Sequence, residues 1–399
     1  MENYAVFSTP QTINYGRGAF GKVGKETAKR GNKALIVSDQ IMYDLGYVSE
    51  CRDLLKQEDI ESAIYLGVKS EPTDQYVDEA LEIYRKEQCD VVISLGGGSC
   101  IDTAKAIVVV ATNGGYIGDY MGAKKLAQNS PVPHIAIPTT AGTGSEATDA
   151  TVINNTSNDV KMMIKQPAFM PEVAIVDPLL TVSSPKSVTA ATGVDALSHA
   201  IEAYISRQAQ PMTDMLALSA MEKIVGNLKQ AYKDGSDIDA REEMAVGALQ
   251  AGMAFTNASV CLVHGMSRPI GALFHVPHGF SNAMLLPAVL EFSKGACVER
   301  LADLGRLFNE DANNLTDEEA AEIAVTSVKK LCLELNIPNL KGFGIDEEKF
   351  EQAISKMAED ALGSGSPQNN PKVPSKKEIE DLYRVCYNYD YTLEKSIKS

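Results

Sequence analysis

Up to residue 177 the chain alternates short runs of β-branched and small apolar residues with stretches of helical spacing; beyond it the strand pattern almost disappears. ALIVSD (34–39), SAIYLGV (62–68), DVVISLGG (90–97), HIAIPTT (134–140) and VAIVD (173–177) read as buried strands. Between them TDQYVDEALEIYRKEQ (73–88) and SCIDTAKAIVVVATN (99–113) carry helical spacing. Buried strands separated by helices form a parallel sheet with helices on both faces, a doubly wound, Rossmann-like α/β arrangement. From Ser184 onward the pattern is helical alone, with helices expected at 184–206, 211–234, 239–258, 316–336, 346–362 and 375–388. Ser184 is placed to cap the first of these, with Pro185 in its first turn. The expected organisation is an α/β domain over residues 1–184 and an all-helical domain over 185–399, with GSGSPQNNPKVPS (363–375) as a loop inside the second.

A net charge of −16 argues against nucleic acid or an anionic membrane as partner. The seven cysteines are scattered, odd in number and free of Cys-x-x-Cys pairs, which fits reduced thiols rather than a disulfide framework. No basic region followed by an apolar run opens the chain, and no uncharged apolar run approaches membrane-spanning length. A cytoplasmic protein is expected.

Chemistry concentrates in the helical half. Asp195 and His199 are four apart in GVDALSHA, so a helix points both the same way, one turn apart. His264 and His278 follow in LVHGMSRPIGALFHVPHG, among apolar residues where unpaired imidazoles are costly to bury. One carboxylate and three imidazoles suit a divalent ion of the iron or zinc type. In the first half, SLGGGSCIDTAKA (94–106) sets three glycines between a strand and a helix, where backbone and helix terminus can approach a phosphate. PTTAGTGSEAT (138–148) places Thr139, Thr140, Thr143 and Ser145 after another strand, as donors to phosphate, ribose or nicotinamide amide. Two such loops at strand C-terminal ends fit a dinucleotide across the edge of an open sheet. Asp39 ends its strand either as a ribose-binding carboxylate that would favour NAD over NADP or as a plain helix cap; both readings stand.

Together GGGSxxDxAK (96–105), PTTAGTGSE (138–146), DALSHAIEAY (195–204) and the His264/His278 block resemble the iron-containing (group III) alcohol dehydrogenases. The motifs keep the family's order over nearly the whole chain. The resemblance implies a dehydroquinate-synthase-like architecture, with a dinucleotide-binding domain, a helical domain and a catalytic cleft between them. It implies metal ligation by Asp195, His199, His264 and His278, with Fe(II) or Zn(II) as the ion. It puts the NAD pyrophosphate at Gly97, Gly98 and Ser99, with further contacts from Thr139, Thr140, Thr143, Thr148 and Lys161, and gives Asp39 the NAD preference. It also implies a homodimer. The reaction expected is interconversion of a small primary alcohol or diol and its aldehyde, with His264, Arg268 and His278 around the reacting atoms.

Arg268 departs from the family, many of whose members carry a histidine at that place. Arginine stays protonated and cannot act there as a near-neutral acid–base group. It suits fork-like recognition of a carboxylate, sulfonate or phosphonate, which would make the substrate an anionic hydroxy-acid or hydroxy-sulfonate. The alternative is that Arg268 turns away and pairs with a surface acid. His275 is read as a partly exposed structural residue that could reach the pocket, His134 as chemically silent, and Cys100 as packing. Glycerol dehydrogenases and the dehydroquinate-synthase group share the general fold but use a shorter ligand set. An inactive metal-binding protein is the reading from another class.

Overall fold

The protein is described by a computed structural model for residues 4–158 and 160–392. Its strands are β1 (Thr12–Tyr15), β2 (Lys33–Val37), β3 (Glu61–Tyr65), β4 (Val91–Gly96), β5 (His134–Pro138), β6 (Ala150–Asn155), β7 (Val160–Lys165) and β8 (Val173–Val176). Six of them form one sheet in the order β1-β8-β5-β4-β2-β3, with every neighbouring pair parallel. The helices of this half are α1 (Val23–Ala28), α2 (Gln40–Asp44), α3 (Tyr47–Lys56), α4 (Asp74–Lys86) and α5 (Gly98–Asn113).

Alternation along β2 and β4 explains why both faces are covered. Leu35, Val37 and Val92 point to a core shared with Val77 and Leu81 of α4 and Ala104 and Ile107 of α5. Ala34, Ile36, Val91 and Ile93 point the other way, onto Val23 of α1 and Val48, Cys51 and Leu55 of α3. The sheet is therefore doubly wound, as expected. All five expected strands are present, whereas β1 and the β6–β7 hairpin were not foreseen. The hairpin pairs antiparallel and stands off the sheet, covering Ile153, Met162 and Ile164 with Phe169.

The second half holds α6 (Lys186–Ile205), α7 (Pro211–Lys233), α8 (Ile238–Ala258), α9 (Leu262–Phe274), α10 (His278–Ser293), α11 (Val298–Phe308), α12 (Asp317–Glu334), α13 (Leu340–Phe343), α14 (Glu347–Gly363) and α15 (Lys376–Tyr387). Almost every residue of α6 from Thr189 on is buried, which marks it as the central helix of the bundle. Its expected serine cap does not form. Pro185 occupies the cap position, and the Ser184 hydroxyl instead donates to the Thr139 carbonyl at 3.5 Å. Helix α9 ends at His275, whose φ of +54° is left-handed, and Pro277 then turns the chain into α10. All seven cysteines are free and buried. Among the described residues no single helix is long and apolar enough to cross a membrane.

Candidate active site

Three helices deliver the four donors. Asp195 and His199 stand one turn apart on α6, His264 lies in the first turn of α9, and His278 is the first residue of α10. One carboxylate oxygen and one ring nitrogen from each histidine all lie within 4.8 Å of one another. The His199 ring is held by stacking, at 4.3 Å from Phe255 on one side and 4.4 Å from His264 on the other. The Nδ1 atom of His199 is buried without a hydrogen-bond partner. A mixed set of one hard oxygen and three borderline nitrogens, gathered this closely, fits a divalent iron or zinc ion and is a poor match for magnesium or a soft metal.

Behind the donors lies a residue that the sequence reading missed. Glu202 is 1 % exposed; its Oε2 is 2.5 Å from His264 Nδ1, and its Oε1 accepts the Val263 N–H at 2.6 Å. A carboxylate there holds the proton on Nδ1, so that Nε2 is the nitrogen that faces the other donors and ligates once its own proton is lost. Its signal was present as spacing, since residues 195, 199 and 202 share one face of a helix. Burial opposes charge on His264, but Glu202 and Asp195 outweigh it and push its pKa up to about 9. Burial pushes His199 down to about 4 against the pull of Asp195, and holds His278 well below the usual histidine range. Burial would raise Asp195, yet the three histidines more than reverse this and hold its carboxyl below the ordinary range.

The donors open into a cleft of about 1140 Å³ between the two halves. Gly98, Ser99, Thr143, Thr148 and Lys161 line it from the sheet side; His199, His264, His278 and Arg268 line it from the helical side. A neighbouring groove of about 1700 Å³ shares Ser99 with the cleft and runs past Gly97 to Asp39. At the glycine turn a Cβ on Gly98 would stand 2.8 Å from Thr143 Cγ2, so only glycine lets the two loops close together. Asp39 caps α2, accepting the Met42 N–H at 2.9 Å, while its second oxygen faces Cys100 Sγ at 3.7 Å. It thus acts as a cap and also lines the groove. Thr140 sits beside Gly97, with Oγ1 3.9 Å from where a Cβ would be, whereas Thr139 is buried behind the loop. Thr148 Oγ1 accepts from Lys105 Nζ at 2.7 Å, and Lys161 pairs with Glu71 at 2.7 Å.

Arg268 reaches into the cleft and donates from Nη1 to Ser366 Oγ at 2.9 Å. Among the described residues it has no salt bridge, so the alternative of a surface-acid partner is not what the structure shows. His275 is exposed and lines the outer groove. His134 is buried in β5 against Ser94 Oγ at 2.8 Å, and Cys100 is buried, its thiol pushed well above the usual value by burial.

The family model for iron-containing alcohol dehydrogenase matches residues 10–178, and that for the C-terminal part of the Fe-containing alcohol dehydrogenase family matches residues 189–387. The chain belongs to the iron-containing alcohol dehydrogenase family. It is 38 % identical to the NAD-dependent methanol dehydrogenase of Bacillus methanolicus over 384 residues, covering 96 % of this chain and 99 % of that protein. A crystal structure of 1,3-propanediol oxidoreductase superposes with a TM-score of 0.92 at 39 % identity, covering 96 % of this chain and all of the other. The sulfoacetaldehyde reductase of Bifidobacterium kashiwanohense, solved with NAD+, gives 0.85 at 28 % identity, over 98 % and 100 % of the two chains. This iron-containing alcohol dehydrogenase is an oxidoreductase of alcohols and aldehydes, with an Asp/His cluster compatible with the family's metal site.

Proposed function

We propose that the chain interconverts a small primary alcohol or diol and its aldehyde by hydride transfer with NAD, using Asp195, His199, His264 and His278 as ligands of a divalent iron. The observation that carries this reading is that three of the four clustered donors, His199, His264 and His278, line the same cleft as the glycine turn and the Thr143–Thr148 loop. Iron held by these residues would supply Lewis-acid polarisation of the substrate oxygen. Gly97, Gly98 and Ser99 offer backbone and hydroxyl donors for a pyrophosphate at the start of α5, with Thr139, Thr140, Thr143, Thr148 and Lys161 around the rest of the dinucleotide and Asp39 at its ribose. Glu202 keeps His264 in the ligating tautomer, and His264 and His278 wall the reacting centre. Zinc suits the same donors, and metal analysis of the purified protein decides between the two. The division at residue 184, a homodimer and a reducing, cytoplasmic compartment belong to this reading; the end of the sheet at Val176 and the seven unpaired cysteines support the first and the last.

The test is NADH oxidation by Fe(II)-loaded protein with a short aldehyde, alongside His264→Ala. The variant is expected to fold, bind little iron and lose activity by roughly a thousandfold or more, the scale set by losing a ligand that stabilises developing charge. Full activity in a metal-defined assay would refute the ligand assignment.

One observation favours a narrower substrate. The Arg268 guanidinium is desolvated in the cleft with a neutral hydroxyl as its hydrogen-bond partner, an arrangement that an anion would complete. We therefore read the substrate as an aldehyde or alcohol that carries a carboxylate, sulfonate or phosphonate within reach of Arg268. Neutral and anionic aldehydes of equal length distinguish the cases. The expected result is a preference for the anion that Arg268→Ala reduces roughly tenfold to a hundredfold, as for loss of a charged hydrogen bond worth about 1.5–3 kcal/mol. Equal use of both aldehydes by the wild type leaves Arg268 a structural residue.

A further inference from the structure

Asn282 lies one turn after His278 on α10 and is fully buried. Its Nδ2 is 2.6 Å from Asp195 Oδ1, 3.0 Å from His264 Nε2 and 3.0 Å from His278 Nε2. One amide nitrogen thus touches a donor from each of the three helices that build the site. Its orientation follows from chemistry: a carboxylate only accepts, so the amino end of the amide must face Asp195. The cost is visible at the other end, where Asn282 Oδ1 is buried without a partner. An asparagine kept there at that cost has a use for its N–H groups.

The use follows from counting lone pairs. A neutral imidazole nitrogen has one, which can face an N–H or a metal ion but not both; a carboxylate oxygen has two and can face both. A bound ion therefore takes the imidazoles away from Asn282 and leaves it Asp195. The geometry points to Asn282 as a positioning residue with two partner sets: its two N–H groups tie Asp195 to His278 before an ion binds, and it orients Asp195 alone afterwards. It keeps α6 and α10 in register for ligation and prevents Asp195 and His278 from splaying when they lack a metal. This inference rests on the ligand assignment proposed above.

The experiment measures thermal midpoints of wild type, Asn282→Leu and Asn282→Asp after chelator treatment and after reloading with Zn(II), a redox-inert probe. If Asn282 has the role assigned here, Asn282→Leu loses more stability in the stripped protein than in the loaded one, an excess of roughly 1–2 °C for about one hydrogen bond. Asn282→Asp keeps the size and sets a second carboxylate against Asp195, so its loss is again larger without the cation; it carries the comparison if the leucine variant does not fold. Equal losses in the two states for the folded variants overturn the inference and make Asn282 a packing residue. Absence of any Zn(II)-dependent rise in wild type, or a rise that persists in His264→Ala, instead defeats the ligand assignment itself.

Discussion

A ligand nitrogen is only as well placed as the group behind it. Glu202 uses one oxygen on His264 Nδ1 and the other on the Val263 N–H, so it fixes both the ring and the start of the helix that carries it. Glutamine has a single acceptor oxygen and no charge, and leaves one of the two donors without a partner. Glu202→Gln is expected to weaken metal binding by roughly 10–100-fold, read by chelator competition; an unchanged affinity would mean that the carboxylate only fills space. At this scale the histidines were legible because the chain has only five and three of them fall in one constellation. Glu202 was not, because a glutamate in a helix is ordinary until packing buries it. The direction of Arg268 was equally hidden, since a long side chain chooses its partner only when its surroundings exist.

Between elements, the decisive contact joins α5 to the loop that precedes β6. Lys105 is fully buried, and its ammonium donates to Ser145 Oγ at 3.1 Å, Thr148 Oγ1 at 2.7 Å and the Ala150 carbonyl at 2.7 Å. Burial pushes its pKa down to about 8, although Asp102, Asp149 and Glu146 pull the other way. Asp102 accepts from the Ser145 hydroxyl and from the Val152 N–H, closing the network. Lys105 thus sets where Thr148 stands in the cleft without facing the substrate itself. Lys105→Met is expected to raise KM for NADH roughly tenfold, the effect of about 1.4 kcal/mol, while metal content stays at the wild-type level. If KM does not move, the network serves folding alone. Continuous apolar strands such as DVVISLGG were legible because burial on both faces leaves no polar alternation. The four-residue edge strand β1 and the mixed-polarity hairpin β6–β7 were not, since neither carries that pattern. The Ser184 cap failed because the helix begins one residue later, with Pro185 at the cap position, a shift that local spacing cannot show.

How the two halves close on each other was the least legible feature, because it depends on pairs of residues far apart in the chain. Helix α8 is the seam. Its Phe255 stacks on His199, its Thr256 hydroxyl donates to Asp149 Oδ1 at 2.7 Å, and its Asn257 accepts the Ser8 N–H at 2.7 Å. One turn earlier Gly252 meets Gly144, which stands at φ +60° in the loop before Thr148. A Cβ on Gly252 would lie 2.6 Å from the Gly144 carbonyl oxygen, and one on Gly144 would lie 2.6 Å from the Gly252 Cα. Inside a helix a glycine costs stability; here Gly252 lets the loop that carries Gly144 rest against the helix whose Phe255 packs on His199. A single methyl group there has nowhere to go except by moving backbone. Gly252→Ala is expected to destabilise the protein by about 1–3 kcal/mol, the scale of overpacking a tight contact, and to raise KM for NADH while leaving metal content intact, because no ligand is displaced directly. The discriminating result is the pair of measurements together. Loss of metal along with NADH affinity would show that α8 transmits the displacement to His199 through Phe255, whereas an unchanged KM would show that the loop accommodates the methyl and that the glycine contact does not set the width of the cleft.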